Sequence, residues 1–174
     1  MLVVSVLVLL LAVAGGTLAW LTANTGPVVN TFTPAQVSCE VTEDFNGTIK
    51  SNVNVTNTSD IYAYIRVKLV TYRVNDAGQH IGGTATIPEF TLGTNWVKNG
   101  EYYYYTKPVA PNQKPETNLT DSMTLIGSYM DTDGGKQVIE VMAEAIQSVP
   151  DRAVQDAWGV TIANGSVTAV TTGN

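Results

Sequence analysis

The chain has 174 residues, with 9 basic and 15 acidic side chains, a formal net charge of −6 and a single cysteine. An acidic surface of this kind argues against binding to nucleic acid or to anionic lipid head groups. One cysteine, Cys39, excludes an intrachain disulfide, and its apolar neighbours indicate a buried strand residue. The length suits a single domain with a sizeable core.

The first residues read as an export signal. Met1 to Ala14 is apolar except for one serine, and no charge appears before Glu40. A signal peptide needs roughly 7–15 apolar residues followed by small side chains. Thr17 and Ala19 supply small side chains at the positions that a signal peptidase reads. We therefore expect a signal peptide over residues 1–19, cleavage after Ala19 and Trp20 at the mature N-terminus.

Two features of the leader leave an alternative open. It lacks a basic residue before the apolar run, which is most simply explained by a start codon assigned too late. Leu2 to Leu21 is also about long enough to cross a bilayer of ~30 Å as an uncleaved anchor. Gly15 to Thr17 would make a poor membrane exit, which favours cleavage. Membrane contact is expected only through the uncleaved signal.

Residues 20–36 predict an extended N-terminal arm. The stretch has no helical period and only fragments of alternation, with apolar residues scattered through it. Residues 37–174 then predict a β-sandwich domain. Val37 to Val41 and Ile49 to Val55 alternate apolar and polar residues, as half-buried strands do, and the Asn46-Gly47 pair between them indicates a turn.

Ile61 to Val74 gives the strongest strand pattern, since it is rich in β-branched and aromatic residues. One face is aliphatic and is expected to be core. The other face is aromatic and basic, and it is expected to point outward, toward solvent or a partner. The residues of this candidate partner face are Tyr62, Tyr64 and Tyr72.

The remaining segments complete an all-β pattern. Glu101 to Thr106 predicts a strand with two tyrosines on each face, and Leu119 to Met130 predicts another. Gln137 to Val149 is ambiguous between strand and helix, and its β-branched residues favour a strand. Pro150 to Trp158 is the one short helix, with Gly159 after its end. The total predicts a jelly-roll-like antiparallel β-sandwich with one short helix near the C-terminus and an extended N-terminal arm.

No motif argues for catalysis. His80 is the sole histidine, sits in a turn, and has no HExxH motif around it. Asp131 and Asp133 resemble half of a calcium loop, but they lack the distal glutamate, so a hairpin turn is favoured over a metal site. Glu140 and Glu144 would share one face, most simply a solvated one. We expect no enzyme activity and no cofactor.

Three blocks of sequence together resemble a known family. GGTLAWLT followed by VVNTFTPAQV resembles the export signal handled by the SipW-type signal peptidase. NVTNTSDIYAYIRVKL resembles a strand pair of the same proteins, and NGEYYYYTKPVAP and VIEVMAEAIQSV…AWGV look like their later segments. The resemblance spans essentially the whole chain. The family is the TasA/camelysin group of exported matrix proteins.

The resemblance implies a jelly-roll subunit or accessory of an extracellular fibre in biofilm matrix. Its partners would be the specialised signal peptidase and either copies of itself or related matrix subunits. In such fibres the N-terminal arm of one subunit adds as a strand to the next; carried over, the anchors of that donor strand would be Val28, Val29 and Phe32. Two alternatives stay open: a monomeric adhesion module at the cell surface, and a camelysin-like metalloprotease.

Overall fold

A computed structural model of the chain describes residues 36–83, 85–126 and 135–170, without the side chains of 169 and 170. The chain divides into two units, Met1–Pro34 and Ala35–Asn174, and the described residues belong to the second. Several sequence-based predictions therefore lie outside the described residues. They are the cleavage site at Thr17, Ala19 and Trp20, the arm residues Val28, Val29 and Phe32, and the metal candidates Asp131 and Asp133.

Ten strands and one helix make up the described part of the chain. Their bounds are β1 Cys39–Phe45, β2 Ile49–Asn57, β3 Ala63–Val74, β4 His80–Ile81, β5 Trp96–Asn99, β6 Tyr102–Tyr105, β7 Thr120–Thr124, β8 Lys136–Gln147, α1 Asp151–Trp158, β9 Val160–Ala163 and β10 Ser166–Val170.

The first sheet is antiparallel with strand order β1-β2-β7. The turn between β1 and β2 forms because the Asn46 side-chain oxygen accepts hydrogen bonds from the backbone of Thr48 and Ile49, and Gly47 takes a positive φ of 94°. The register of β1 against β2 shifts between Thr42 and Asp44, which is a β-bulge.

The second sheet is built around β3. Along one side, all twelve residues of β3 pair with β8 in continuous antiparallel register, from Ala63 opposite Gln147 to Val74 opposite Lys136. On the other side β3 pairs with β6 and, at its far end, with the short β4; β5 follows β6. The order across this sheet is therefore β8-β3-β6-β5.

The core lies between the two sheets, on the faces that the alternation predicts. The aliphatic face of β3 is buried, and Tyr103 and Tyr105 of β6 join it while Tyr102 and Tyr104 point to the other face. The predicted division of the four tyrosines is thus confirmed. The buried residues of this core are Val53, Val55, Ile65, Val67, Leu69, Trp96, Tyr103, Tyr105, Val109, Leu119, Met123 and Ile139.

A second apolar cluster covers part of the outer face of the second sheet. Helix α1 starts after Pro150 and ends at Gly159, whose left-handed φ of 64° lets its backbone N–H reach the carbonyl of Gln155. Val154 and Trp158 are its buried residues. Together with the β9–β10 hairpin they pack over Tyr64 and Tyr104.

The fold prediction is confirmed: the described part is an antiparallel all-β sandwich with one short helix. The ambiguous segment after residue 136 is strand β8, as its β-branched residues indicated. The strand predicted from Leu119 is shorter than expected, because β7 ends at Thr124. Within the described ranges, no helix is long and apolar enough to cross a membrane.

Candidate functional site

One long edge of the sandwich, where β5 and β7 lie, is sealed. The segment before β5 crosses it, and Phe90 and Leu92 pack against the core. Gly93 donates its N–H to the Leu119 carbonyl at 3.0 Å. A Cβ on Gly93 would lie 1.9 Å from the Asn118 carbonyl oxygen, so only glycine allows this close approach. We call this the closed edge.

The Trp96 indole completes the seal of the closed edge. Its ring is buried against that of Tyr105, with centroids 5.4 Å apart. Its Nε1–H donates to the Thr117 carbonyl at 3.0 Å, so burying the indole leaves no polar group unsatisfied.

At the opposite edge β1 and β8 lie beside each other, and neither pairs with a further strand in the described ranges. Core-facing residues are here only half-buried, in contrast to the fully buried side chains in the middle of the sandwich. They are Cys39 and Val41 on β1 and Val141 and Ala143 on β8. We call this the open edge.

The backbone of β8 presents hydrogen-bonding groups to the open edge. Ser148 donates its N–H to the Tyr62 carbonyl at 3.0 Å, which makes residues 62 and 148 a hydrogen-bonded pair. Bonding alternates along an antiparallel ladder. Even-numbered residues of β8 therefore bond to β3, and odd-numbered residues, from Gln137 to Gln147, direct their N–H and C=O groups outward. No strand in the described ranges pairs with this side of β8.

A groove of about 550 Å³ runs along the β8 side of the open edge. It is mainly apolar and lies along the first half of β8. Its lining residues are Val41, Glu43, Phe45, Lys50, Leu125 and the run from Gln137 to Met142. A concave apolar strip beside unpaired strand backbone is the arrangement that accepts an added strand.

An ion pair lies at one end of this groove. Lys50 is a nearly buried lysine that bonds to Glu43, and its Nζ lies 5.4 Å from the centre of the Phe45 ring. Phe45 is itself a lining residue of the groove, and its side chain is 53 % exposed. Pairing compensates for the burial of the lysine charge, so the groove is effectively neutral there.

Cys39 lies on the open edge at the start of β1. It is a strand residue, as the sequence indicated, but it is half-buried where the sequence indicated a buried position. Burial raises the pKa of its thiol, and the negative charge of Glu144 raises it further. The thiol is therefore protonated and weakly nucleophilic near neutral pH.

The predicted partner face does not exist as one surface. Tyr62 is 55 % exposed, but Tyr64 is 1 % exposed, because α1 and the β9–β10 hairpin cover it. Tyr72 is half-exposed on the uncovered part of the sheet, where its hydroxyl donates to Glu140 at 2.7 Å. That hydrogen bond raises the pKa of Tyr72. The inclusion of Tyr64 in an exposed face was wrong.

The carboxylates and the histidine occupy separate, exposed positions. Glu144 accepts two hydrogen bonds from Arg66, whose guanidinium also lies 3.9 Å from the Tyr102 ring centre. His80 stacks on Tyr72 with ring centroids 5.1 Å apart. Among the described residues there is no group of three metal-ligating side chains.

Different segments of the chain lie at the two ends of the sandwich. At the Tyr62 end the described chain enters: Gln36 donates its N–H to Asp60 at 3.2 Å, and Ser38 donates to the Ser59 hydroxyl at 2.8 Å. The Phe45 end is the opposite one, where β1 and β7 finish and β8 begins. The groove lies toward the Phe45 end, since Phe45, Lys50 and Gln137 line it.

Sequence reasoning missed the groove. It is lined by residues from β1, β2, the segment after β7 and β8, and their meeting depends on strand order. Two signals were present: an aromatic residue, Phe45, immediately before a turn, and the small residues Ala143 and Ala145 at inward positions of β8.

Comparison of the chain with protein-family models, with curated proteins and with solved structures found no match.

Proposed function

We propose that this chain is an exported structural protein, a subunit or accessory of an extracellular fibre or biofilm matrix, and that it joins other copies by strand addition. The observation that carries the proposal is the outer edge of β8, which no strand of the described residues pairs with, beside an apolar groove. The joining strand is the N-terminal arm of another copy, with Val28, Val29 and Phe32 as its anchors. The resemblance to the TasA/camelysin group supports the same reading, and no catalysis is assigned to the chain.

The positions of the two ends favour joining between copies. The chain enters at the Tyr62 end, whereas the groove lies toward the Phe45 end. An arm that starts at one end and an acceptor that lies toward the other form a head-to-tail contact. Such a contact propagates into a filament wherever its rotation does not close a ring.

Strand direction favours the same conclusion. β8 runs from the Phe45 end to the Tyr62 end, since Lys136 pairs with Val74 and Gln147 with Ala63. An arm entering from a neighbour beyond the Phe45 end would lie antiparallel to β8. The chain's own arm, folded back along the groove, would lie parallel to β8. Antiparallel pairing is slightly more stable per residue.

The arm contains a segment of matching length. Pro27 and Pro34 bracket the six residues Val28–Thr33, and proline cannot donate to a ladder. The stretch of β8 that lines the groove, Gln137–Met142, is also six residues. Each spans about 20 Å at ~3.3 Å per residue, so the bracketed segment fits the groove without overhang.

The first test is truncation. Protein beginning at Trp20 should form filaments, visible by electron microscopy and by light scattering, whereas protein beginning at Thr33 should stay monomeric. Val29→Asp should abolish filaments, because it places an unpaired carboxylate in an apolar groove. Thr22→Asp is the matched control, since it adds the same charge outside the bracketed segment. Filaments from the protein that begins at Thr33 would refute the proposal.

A cross-linking scan tests the strand itself. In a Cys39→Ser background, Met142→Cys places a thiol on the exposed face of β8, and single cysteines are placed in turn at positions 28 to 33 of a second protein. With residues 28–33 opposite residues 137–142, strand addition predicts a disulfide at position 28, weaker cross-linking at position 30 and none elsewhere, because side chains alternate across a strand and a disulfide needs Cα atoms within about 7 Å. Cross-linking at every position, or at none, counts against it.

A further inference from the structure

The two ends of the sandwich carry complementary features that strand addition alone does not use. A pocket of about 280 Å³ lies at the Tyr62 end. Its rim includes the exposed Tyr62 ring and two lysines, Lys107 and Lys114. Lys107 pairs with Glu116 at 3.3 Å, whereas Lys114 is exposed and makes no ion pair with any residue that the structure describes. The pocket therefore offers an aromatic surface beside an uncompensated positive charge.

The Phe45 end carries an exposed aromatic ring beside a negative charge. Phe45 is 53 % exposed, and the neighbouring Asp44 is exposed and accepts a hydrogen bond only from the neutral amide of Asn52, at 2.8 Å, among the described partners. Glu43, by contrast, is already neutralised by Lys50. An apolar ring and one uncompensated carboxylate thus stand together at this corner.

The length of the linking chain brings these two ends together. Under the proposed strand addition, Thr33 is the last residue of the strand held by one copy. Gln36 is already bonded to Asp60 at the Tyr62 end of the next copy. The three Cα–Cα steps from residue 33 to residue 36 reach at most about 10 Å. At that separation the end surfaces of adjacent copies touch through their side chains.

We infer that consecutive copies of this chain also meet end to end, with the Asp44–Phe45 corner of one copy seated on the Tyr62–Lys114 pocket of the next. This inference rests on the proposed strand addition and names the second half of the same interface. The apolar ring covers the Tyr62 side of the pocket, and the Asp44 carboxylate approaches the Lys114 ammonium. Opposite charges across such a contact fix its register and disfavour stacking of like ends.

Charge reversal tests the contact in protein that begins at Trp20. Asp44→Lys and Lys114→Glu each place like charges across the interface, and each should raise the protein concentration needed for filaments about tenfold. The double variant should assemble close to the parent, because every contact in its homopolymer again pairs opposite charges. Glu40→Lys, an exposed reversal elsewhere on β1, is the matched control and should assemble as the parent does.

The outcomes separate this inference from the proposed function. Rescue in the double variant supports the end-to-end contact. Single variants that assemble like the parent, or a double variant no better than the singles, overturn it while dependence on the arm still stands. Filaments from protein that begins at Thr33 would overturn both. Circular dichroism of each variant shows whether the fold is intact, so that loss of assembly is not mistaken for unfolding.

Discussion

The closed and open edges of this sandwich differ in how the core between the two sheets is covered. At the closed edge, a crossing segment, a buried indole and a glycine packed against backbone cover the core between β5 and β7. At the open edge, β8 is long, continuous and unpaired on its outer side among the described residues. Unprotected strand edges are sites of pairing with other chains. The contrast within one molecule indicates that exposure of β8 is a feature of this fold and not a general looseness.

The largest difference should appear in the cost of removing a buried leucine. Leu119→Ala, beneath the closed edge at a fully buried position, should lower the free energy of unfolding by about 3–5 kcal/mol, because the cavity cannot collapse. Urea denaturation measures it. A loss below about 1 kcal/mol would show that the closed edge is not rigid.

Amide hydrogen exchange should resolve the open edge residue by residue. The N–H groups of Val141 and Ala143 point outward, whereas those of Met142 and Glu144 bond to β3. The outward groups should exchange about 100-fold faster, since they need no opening of the ladder. A peptide of residues 20–34 should slow them selectively. Equal protection of odd and even residues would contradict the assigned ladder.

Removing the counterpart leucine at the open edge, Leu125, should lower the free energy of unfolding by less. Leu125 lines the groove and is only half-buried, so Leu125→Ala should cost about 1 kcal/mol in the monomer, in proportion to the smaller area removed from water. Measured beside Leu119→Ala, it compares the two sides with identical chemistry. A cost equal to that of Leu119→Ala would remove the distinction.

The smallest expected effect concerns the thiol on the open edge. Because burial raises the pKa of Cys39, less thiolate is present at pH 8 than in the unfolded chain, and labelling by a disulfide reagent should be a few-fold slower. The rate should climb as the pH rises toward the raised pKa. Glu144→Gln removes the second cause and should speed labelling slightly. Labelling as fast as in the unfolded chain would show that the thiol is not shielded.

Local patterns predicted the elements of this fold well. The alternation in β3, the division of four tyrosines in β6 and the helix bounded by Pro150 and Gly159 each depend on neighbours in sequence, so they could be read without the structure. Tyr64 could not be placed in the same way. Its burial depends on Val154 and Trp158, which lie about ninety residues later. The sequence showed that the helix had an apolar stripe, but not which surface would receive it.

The groove was unpredictable for a related reason. Its walls come mainly from β1 and β8, which are edge strands of two different sheets. No local sequence pattern shows which strand will lie at the edge of a sheet. Strand order is decided by the packing of the whole domain. The sequence does predict an apolar arm over residues 20–36, and the proposed function makes that arm the partner of the groove.

The β-bulge between Thr42 and Asp44 bears on how many neighbours one copy can hold. β1 is also a marginal strand, yet the bulge breaks the even spacing of its outward groups, and a distorted ladder is a poor template for pairing. Under the proposed strand addition, each molecule then offers β8 as the regular acceptor at the open edge and its N-terminal arm as the donor. Two contacts per molecule give unbranched filaments, whereas a second regular edge strand would permit branched assemblies.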